Sequence, residues 1–252
     1  MTPRVSPPLG RPEEGSLPPG GKARSAKGAH ISIVVPTLNE AERIVACLQR
    51  LRTLRRAGAE LIVADGGSTD ATVVLARPWA DQVLVGPRGR AKQMNLGASA
   101  ATGDVLLFLH ADTSLPADAR SALDAALADA QVSWGRFDVQ IDGASPLLKL
   151  VASLMNARSR WSGIATGDQA IFVRRDVFER AGGFPDQPLM EDIELSKRLR
   201  KLSPPACLRQ RVTTSGRRWE QHGVLRTIVL MWLLRALYWI GLPAERLARL
   251  YR

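Results

Sequence analysis

The 252-residue chain is poor in cysteine and in aromatic residues, and its last quarter is almost free of acid. Cys47 and Cys207 are too few for a disulfide framework or a cysteine-rich zinc site, and they fit a reducing compartment. The cytoplasm is therefore the expected location. Neither a Gly-x-x-x-x-Gly-Lys-Ser/Thr phosphate loop nor a Gly-x-Gly-x-x-Gly turn follows the first apolar run, which takes support from P-loop ATPases and ordinary dehydrogenases. No repeat with a period of roughly 20 to 50 residues is visible. With 45% hydrophobic residues and 23% charged ones, the chain can bury the core of a large domain and is neither fibrous nor disordered throughout.

The net charge of +11 is unevenly placed. Residues 1–194 carry 22 Lys or Arg against 22 Asp or Glu, whereas residues 195–252 carry 13 against 2. A basic region of this kind suits the phosphates of a small ligand, an anionic membrane face or a nucleic acid. Composition does not choose among them. Residues 1–29 hold six prolines, five glycines and few large apolar side chains, and are read as a disordered tail. A secretory signal needs an apolar stretch of about 7 to 15 residues, and this region has none.

Order is expected from Ile31, where a short β-branched run stops at Pro36. Similar runs recur at 61–64, 82–85 and 105–109, separated by helical patterns at 41–57, 71–76 and 90–101. That alternation predicts βαβ units and a parallel sheet. Each run ends on a polar cluster: 36–40, 65–70, 86–90 and 110–112. Ligands of open α/β sheets lie beyond the carboxyl ends of the strands, so the four clusters should line one crevice. They supply Glu40, Asp65, Asp70 and Asp112 together with Arg88 and Arg90, and Lys92 follows closely. Carboxylates for a hard cation beside basic groups for phosphate oxygens are the parts needed to bind a metal diphosphate.

Four segments carry a more specific signal. Val35-Pro36-Thr37-Leu38-Asn39-Glu40, Asp65-Gly66-Gly67-Ser68-Thr69-Asp70, Leu107-Phe108-Leu109-His110-Ala111-Asp112 and Met190-Glu191-Asp192 resemble, in order and spacing, the family-2 glycosyltransferases of the GT-A fold. The likeness spans about 31–219. Gly167-Asp168-Gln169, 188–192 and 214–219 further resemble a bacterial subgroup labelled for arsenosugar biosynthesis.

The resemblance implies a mixed, mainly parallel sheet of Rossmann type flanked by helices. It implies that Pro36, Thr37, Asn39, Glu40 and Asp65 hold the base and ribose of a nucleotide sugar, with a uridine donor favoured. Asp112 takes the last position of a metal-binding Asp-x-Asp motif, but His110 stands where its first Asp is expected. Imidazole suits Mn²⁺ better than Mg²⁺, so the divalent cation is left as either. Asp192, with Glu191 beside it, matches the catalytic base. Ser215-Gly216-Arg217-Arg218-Trp219 resembles a Gln-x-x-Arg-Trp motif with Ser215 in place of Gln, which puts Arg218 at the diphosphate and Trp219 at the acceptor. Gly167, Asp168 and Gln169 would line the acceptor side, and His222 is a further candidate metal ligand.

Plainer readings stand beside these. Asp70 reads as a helix cap, and Glu40 as a residue favouring a helix start. His110 reads as a core hydrogen-bonding residue, His222 as an exposed helical one and Asp168 and Gln169 as a turn. Arg88, Arg90 and Lys92 read as a solvated helix start.

The segment 226–242 is apolar nearly all round but contains Arg235. As a helix it would be about 25 Å long, short of the roughly 30 Å hydrocarbon layer. It is read either as a helix lying on the cytoplasmic membrane face or as one packed on the domain or on a second copy. The expected organisation is thus a tail (1–29), a GT-A domain (30–219) and an apolar, basic helical appendage (220–252). The expected function is sugar transfer from a nucleotide diphosphate sugar to a hydroxyl of a small or lipid-linked acceptor, with inversion and with help from a metal, and no nucleic acid partner. A nucleotidyltransferase and a non-catalytic basic binding module are the alternatives.

Overall fold

The structure, a computed structural model, describes residues 28–251 except the side chains of Arg218 and His222. The tail expected over 1–29 lies outside the described residues up to residue 27.

The expected β-branched runs form four parallel strands. They are β1 (Ile31–Thr37), β2 (Glu60–Asp65), β3 (Gln82–Val85) and β4 (Val105–Phe108), ordered β3-β2-β1-β4. The helical pattern over 41–57 divides into α1 (Ile44–Arg50) and α2 (Arg52–Arg56), joined at the buried Leu51. Two further helices complete this half: α3 (Thr72–Ala76) and α4 (Arg90–Ala100).

The second half extends the sheet with mixed pairing. It comprises β5 (Thr113–Ser114), α5 (Ala119–Ala128), β6 (Trp134–Asp142), α6 (Leu147–Ser162), β7 (Phe172–Arg174) and α7 (Arg175–Arg180). After these come α8 (Glu191–Leu202), β8 (Ala206–Ser215), α9 (Arg217–His222), α10 (Val224–Trp239) and α11 (Ala244–Leu250). Strand β7 runs antiparallel to β4 and β6, β8 is parallel to β6, and β5 closes the edge against β8. The whole sheet is ordered β3-β2-β1-β4-β7-β6-β8-β5. This is the expected mixed, mainly parallel α/β sheet.

One apolar layer covers each face of the sheet, as the burial of both faces of parallel strands requires. Ile31, Ile33 and Val35 face a layer containing Leu48 and Leu123, while Val34 and Ile62 face Met94 and Phe178. In the first layer, burial pushes the Cys47 thiol up to about 12. That cysteine is an inert packing residue at neutral pH. In the second, Phe108, Phe178 and Phe184 form an aromatic cluster with centroids 4.8–5.7 Å apart. It anchors the turn that leads into α8.

A third cluster attaches the carboxyl-terminal helices. Leu234 of α10 and Leu247 of α11 pack on Ile164, Leu189, Met190 and Ile193. The boundary expected between 219 and 220 falls inside α9. Among the described residues no helix is long and apolar enough to cross a membrane.

Candidate active site

The sheet's polar strand ends open into a cleft of about 460 Å³. Its lining includes Pro36, Thr37 and Glu40 after β1, Arg88 and Arg90 at the start of α4, and His110 and Asp112 after β4. Gly167, Asp168, Glu191, Asp192 and Trp219 complete this part of the lining. Three of the four expected clusters therefore meet at the cleft. The fourth supports it from behind.

Asp65 belongs to that support. It is fully buried, and its Oδ2 accepts hydrogen bonds from the amides of Gly67 (2.9 Å) and Ser68 (2.7 Å). Its Oδ1 accepts from the hydroxyls of Thr37 (3.1 Å) and Ser68 (2.5 Å). A carboxylate engaged four times shapes the loop and does not face the cleft, which corrects the expected donor contact. Asn39 is likewise outside the lining: it adopts φ 55°, and its Oδ1 accepts from the Thr69 amide at 2.9 Å. Asp70 takes the cap-like role, accepting from the amides of Thr72 (3.0 Å) and Ala41 (3.1 Å), and the Thr72 hydroxyl bond leads the effects that lower its pKa. Glu40 pairs with Arg43 at 2.9 Å, in keeping with a helix start, while still lining the cleft.

Gln93 was not signalled by any pattern. Its buried side-chain amide donates to the carbonyls of Thr37 (2.6 Å) and Ala64 (3.1 Å), clamping the ends of β1 and β2. Arg90 of the same helix and Arg88 just before it line the cleft, but Lys92 turns away toward Asp186 at 3.5 Å. A side chain two positions from Arg90 points to another face of the helix. Lys92 is thus removed from the expected donor set.

His110 and Asp112 stand at the floor. His110 Nδ1 is 3.3 Å from Asp168 Oδ1, and its buried Nε2 has no hydrogen-bond partner among the described residues. The imidazole fits against Gly167, where an added Cβ would come within 2.6 Å of it. Among the described residues no group of three or more His, Cys, Asp or Glu side chains is arranged to hold a metal ion. Of the expected set of Asp112, His110 and His222, the first two line the cleft, and the His222 side chain lies outside the described residues. A cation that takes one carboxylate and completes its shell with water and substrate phosphate needs no cage. Asp112, which faces the cleft, fits that requirement.

Glu191 and Asp192 open α8 behind Met190, whose φ of 65° is unusual for a side chain of its size. Asp192 Oδ2 accepts from the Gly167 amide at 2.8 Å and its Oδ1 from the Ile193 amide at 2.7 Å. Two of its lone pairs remain for a substrate proton. Arg158 of α6 adds positive potential: burial lowers its pKa, and the charge of Asp192 pulls the other way. Glu191 is only 3% exposed and lies 3.6 Å from Arg90. Burial raises its pKa, the Asp192 charge adds to the rise and Arg90 opposes it.

Gln169 departs from its expected acceptor role. It is fully buried, and it closes a reciprocal cap with Thr166 over the 3₁₀ turn Gly167–Gln169. Its amide also reaches Asn156 Oδ1 at 3.4 Å. It holds the turn that carries Gly167 and Asp168. Trp219 of α9 lines the cleft, and the side chain of Arg218 lies outside the described residues. Thr227, Met231 and Arg235 of α10, with Tyr251, form an unforeseen part of the wall.

Comparisons with known proteins bear on the family and the fold. A model described as glycosyl transferase family 2 matches residues 32–180. The chain is 31% identical over 171 residues to a PGL/p-HBAD biosynthesis glycosyltransferase of Mycobacterium bovis, covering 61% of this chain and 62% of the relative. It resembles the structure of a mannosyltransferase from Pyrobaculum calidifontis in complex with GDP-Man and Mn²⁺, with TM-score 0.56 and 23% identity over 75% of this chain and 57% of the other. The structure of S. aureus TarS 1-349 in complex with UDP-GlcNAc gives TM-score 0.59 and 17% identity over 74% and 58%. The two structural likenesses bear on the fold. The chain spans about three fifths of the length of the relatives it matches.

Proposed function

Because the chain belongs to glycosyl transferase family 2, we propose that its cleft transfers a sugar from a nucleoside diphosphate sugar to an acceptor hydroxyl. The observation that carries this reading is the placement of Asp192. Its carboxylate is fixed by two backbone amides in a cleft that also presents Arg88, Arg90 and Asp112.

In the proposed mechanism Asp192 takes the proton of the acceptor hydroxyl as that oxygen attacks the anomeric carbon. The bond between that carbon and the diphosphate breaks, and its electron pair leaves with the diphosphate. Arg88 and Arg90 meet the charge that develops there. A divalent cation, when bound through Asp112, supplies further neutralisation of the diphosphate, and both Mg²⁺ and Mn²⁺ suit an oxygen site. A single displacement of this kind inverts the anomeric configuration. Trp219 offers an apolar face to the acceptor, and Glu191 keeps Arg90 in place.

The donor base is proposed as uridine, although the structurally similar proteins include complexes with both GDP-Man and UDP-GlcNAc. We also propose that residues 30–219 form the GT-A domain that carries the donor site and the base, and that the appendage over 220–252, which lends Thr227, Met231, Arg235 and Tyr251 to the cleft wall, rests on the inner face of the cell membrane. The support is chemical: Val229, Trp232, Trp239 and Ile240 are exposed on a region with a strong excess of Lys and Arg. Such a surface suits anionic lipid better than a second copy of the same positive charge.

Calorimetric titration with UDP and with GDP, with and without Mn²⁺ or Mg²⁺, tests the donor site. Metal-dependent binding of one nucleotide is expected, with Asp112→Ala weakening it by at least tenfold. Absence of binding by either nucleotide to the folded chain would overturn the reading.

A further inference from the structure

One cation of the cleft keeps a buried donor with no partner among the described residues. Thr227, Met231 and Arg235 are spaced four residues apart on α10, form one stripe of the helix and line the cleft. The Nε of Arg235 is shielded from solvent and has no hydrogen-bond partner among the described residues. Three carboxylates of the cleft have other contacts. Asp168 faces His110, Glu191 faces Arg90, and Asp192 accepts from the amides of Gly167 and Ile193. A guanidinium N–H withdrawn from water without a partner is unfavourable, so a half-buried arginine that keeps one at the cleft wall suits a ligand there.

The position of Arg235 says which ligand. Its neighbours on α10, Met231 and Leu234, pack in the cluster that contains Leu189, Met190 and Ile193, the residues flanking Glu191 and Asp192. Arg235 therefore belongs to the wall that carries the proposed base, whereas Arg88 and Asp112 stand on the strand-end loops. We propose that Arg235 is an acceptor-recognition residue that binds a phosphate group carried by the acceptor. The planar guanidinium pairs with phosphate oxygens through two parallel N–H donors, a geometry that an ammonium does not reproduce. The cleft is otherwise rich in carboxylates that would repel such an acceptor. The assignment rests on the transferase reading above, and it narrows the acceptor to phosphate-bearing molecules, either soluble phosphate esters or lipids with a phosphate headgroup.

The test uses the full chain with its donor site saturated by nucleoside diphosphate and Mg²⁺. Glycerol phosphate is titrated calorimetrically, and in a second arm the protein is sedimented with phosphatidylcholine vesicles with and without phosphatidic acid. Wild type is expected to bind the phosphate in at least one arm. Arg235→Gln should weaken that binding at least tenfold and Arg235→Lys should restore only part of it, with nucleotide affinity unchanged in both. An effect confined to glycerol phosphate identifies a soluble ester, and one confined to phosphatidic acid identifies a lipid. No phosphate binding by wild type in either arm overturns the proposal, as does equal binding by Arg235→Gln. A parallel loss of nucleotide affinity also overturns it, by moving Arg235 to the donor. Failure of the transferase reading is separable, since it shows as absent nucleotide binding while glycerol phosphate, titrated without nucleotide, still reports on Arg235.

Discussion

The backbone amide of Gly167 donates a 2.8 Å hydrogen bond to Asp192 Oδ2, joining the 3₁₀ turn of Gly167–Gln169 to the first turn of α8. The same glycine leaves no room for a side chain, because a Cβ would approach the His110 imidazole to 2.6 Å. One residue thus sets both the orientation of the carboxylate and the packing of the histidine.

Gly167→Ala should therefore disturb the base without disturbing the fold. The methyl group must push His110 or the turn aside, and either movement lengthens the bond to Asp192. Turnover is expected to fall by about 10- to 100-fold, as a displacement on the order of 1 Å does in a positioned site. The far-ultraviolet circular dichroism spectrum should be unchanged. Wild-type turnover in the alanine variant would show that the turn does not position Asp192.

Asp192→Asn keeps the shape of the side chain and removes its basicity. One oxygen remains to accept from a backbone amide, so the start of α8 should survive. The expected loss is about 10² to 10⁴ in kcat, the usual range for a general base, with nucleotide affinity nearly intact. If nucleotide affinity fell as far as kcat, Asp192 would belong to donor binding instead.

The parts legible in the sequence were those where burial and polarity follow simple rules. Strands β1 to β4 are β-branched runs with polar ends, and their loops carry Asp112, Arg88 and Arg90 to the cleft where the open-sheet rule puts them. Strand β6 was hidden because Arg136 and Asp138 break its apolar pattern, yet both are buried and form an ion pair that Arg160 joins. The backbone bends were equally invisible. Asn39, Ala170 and Met190 are the non-glycine residues with positive φ among the described residues, and each adjoins a cleft loop. Nothing in an alanine or a methionine announces a left-handed turn, which the surrounding packing imposes. Arg235 was misread for a similar reason. In sequence it is a charge interrupting an apolar helix, and only the docking of α10 shows that it faces the cleft.

The raised pKa of Glu191 makes stability depend on pH in a definite direction. Between the ordinary value of 4.5 and the folded value, the native chain binds more protons at this site than the unfolded chain does. Stability contributed by the site is therefore present at low pH and is lost as pH rises through that window. Glu191→Gln has no proton to release, so its stability relative to wild type should rise with pH over the same window and then level off. The attraction of Arg90 for the ionised carboxylate is already contained in the folded pKa of Glu191, which it lowers, so it narrows the window without reversing the sign. Urea unfolding of both proteins at pH steps from about 4 to 8 measures the difference. A difference that stays flat or shrinks with pH would mean that Arg90 outweighs burial and that Glu191 sits in the cleft as an ordinary carboxylate.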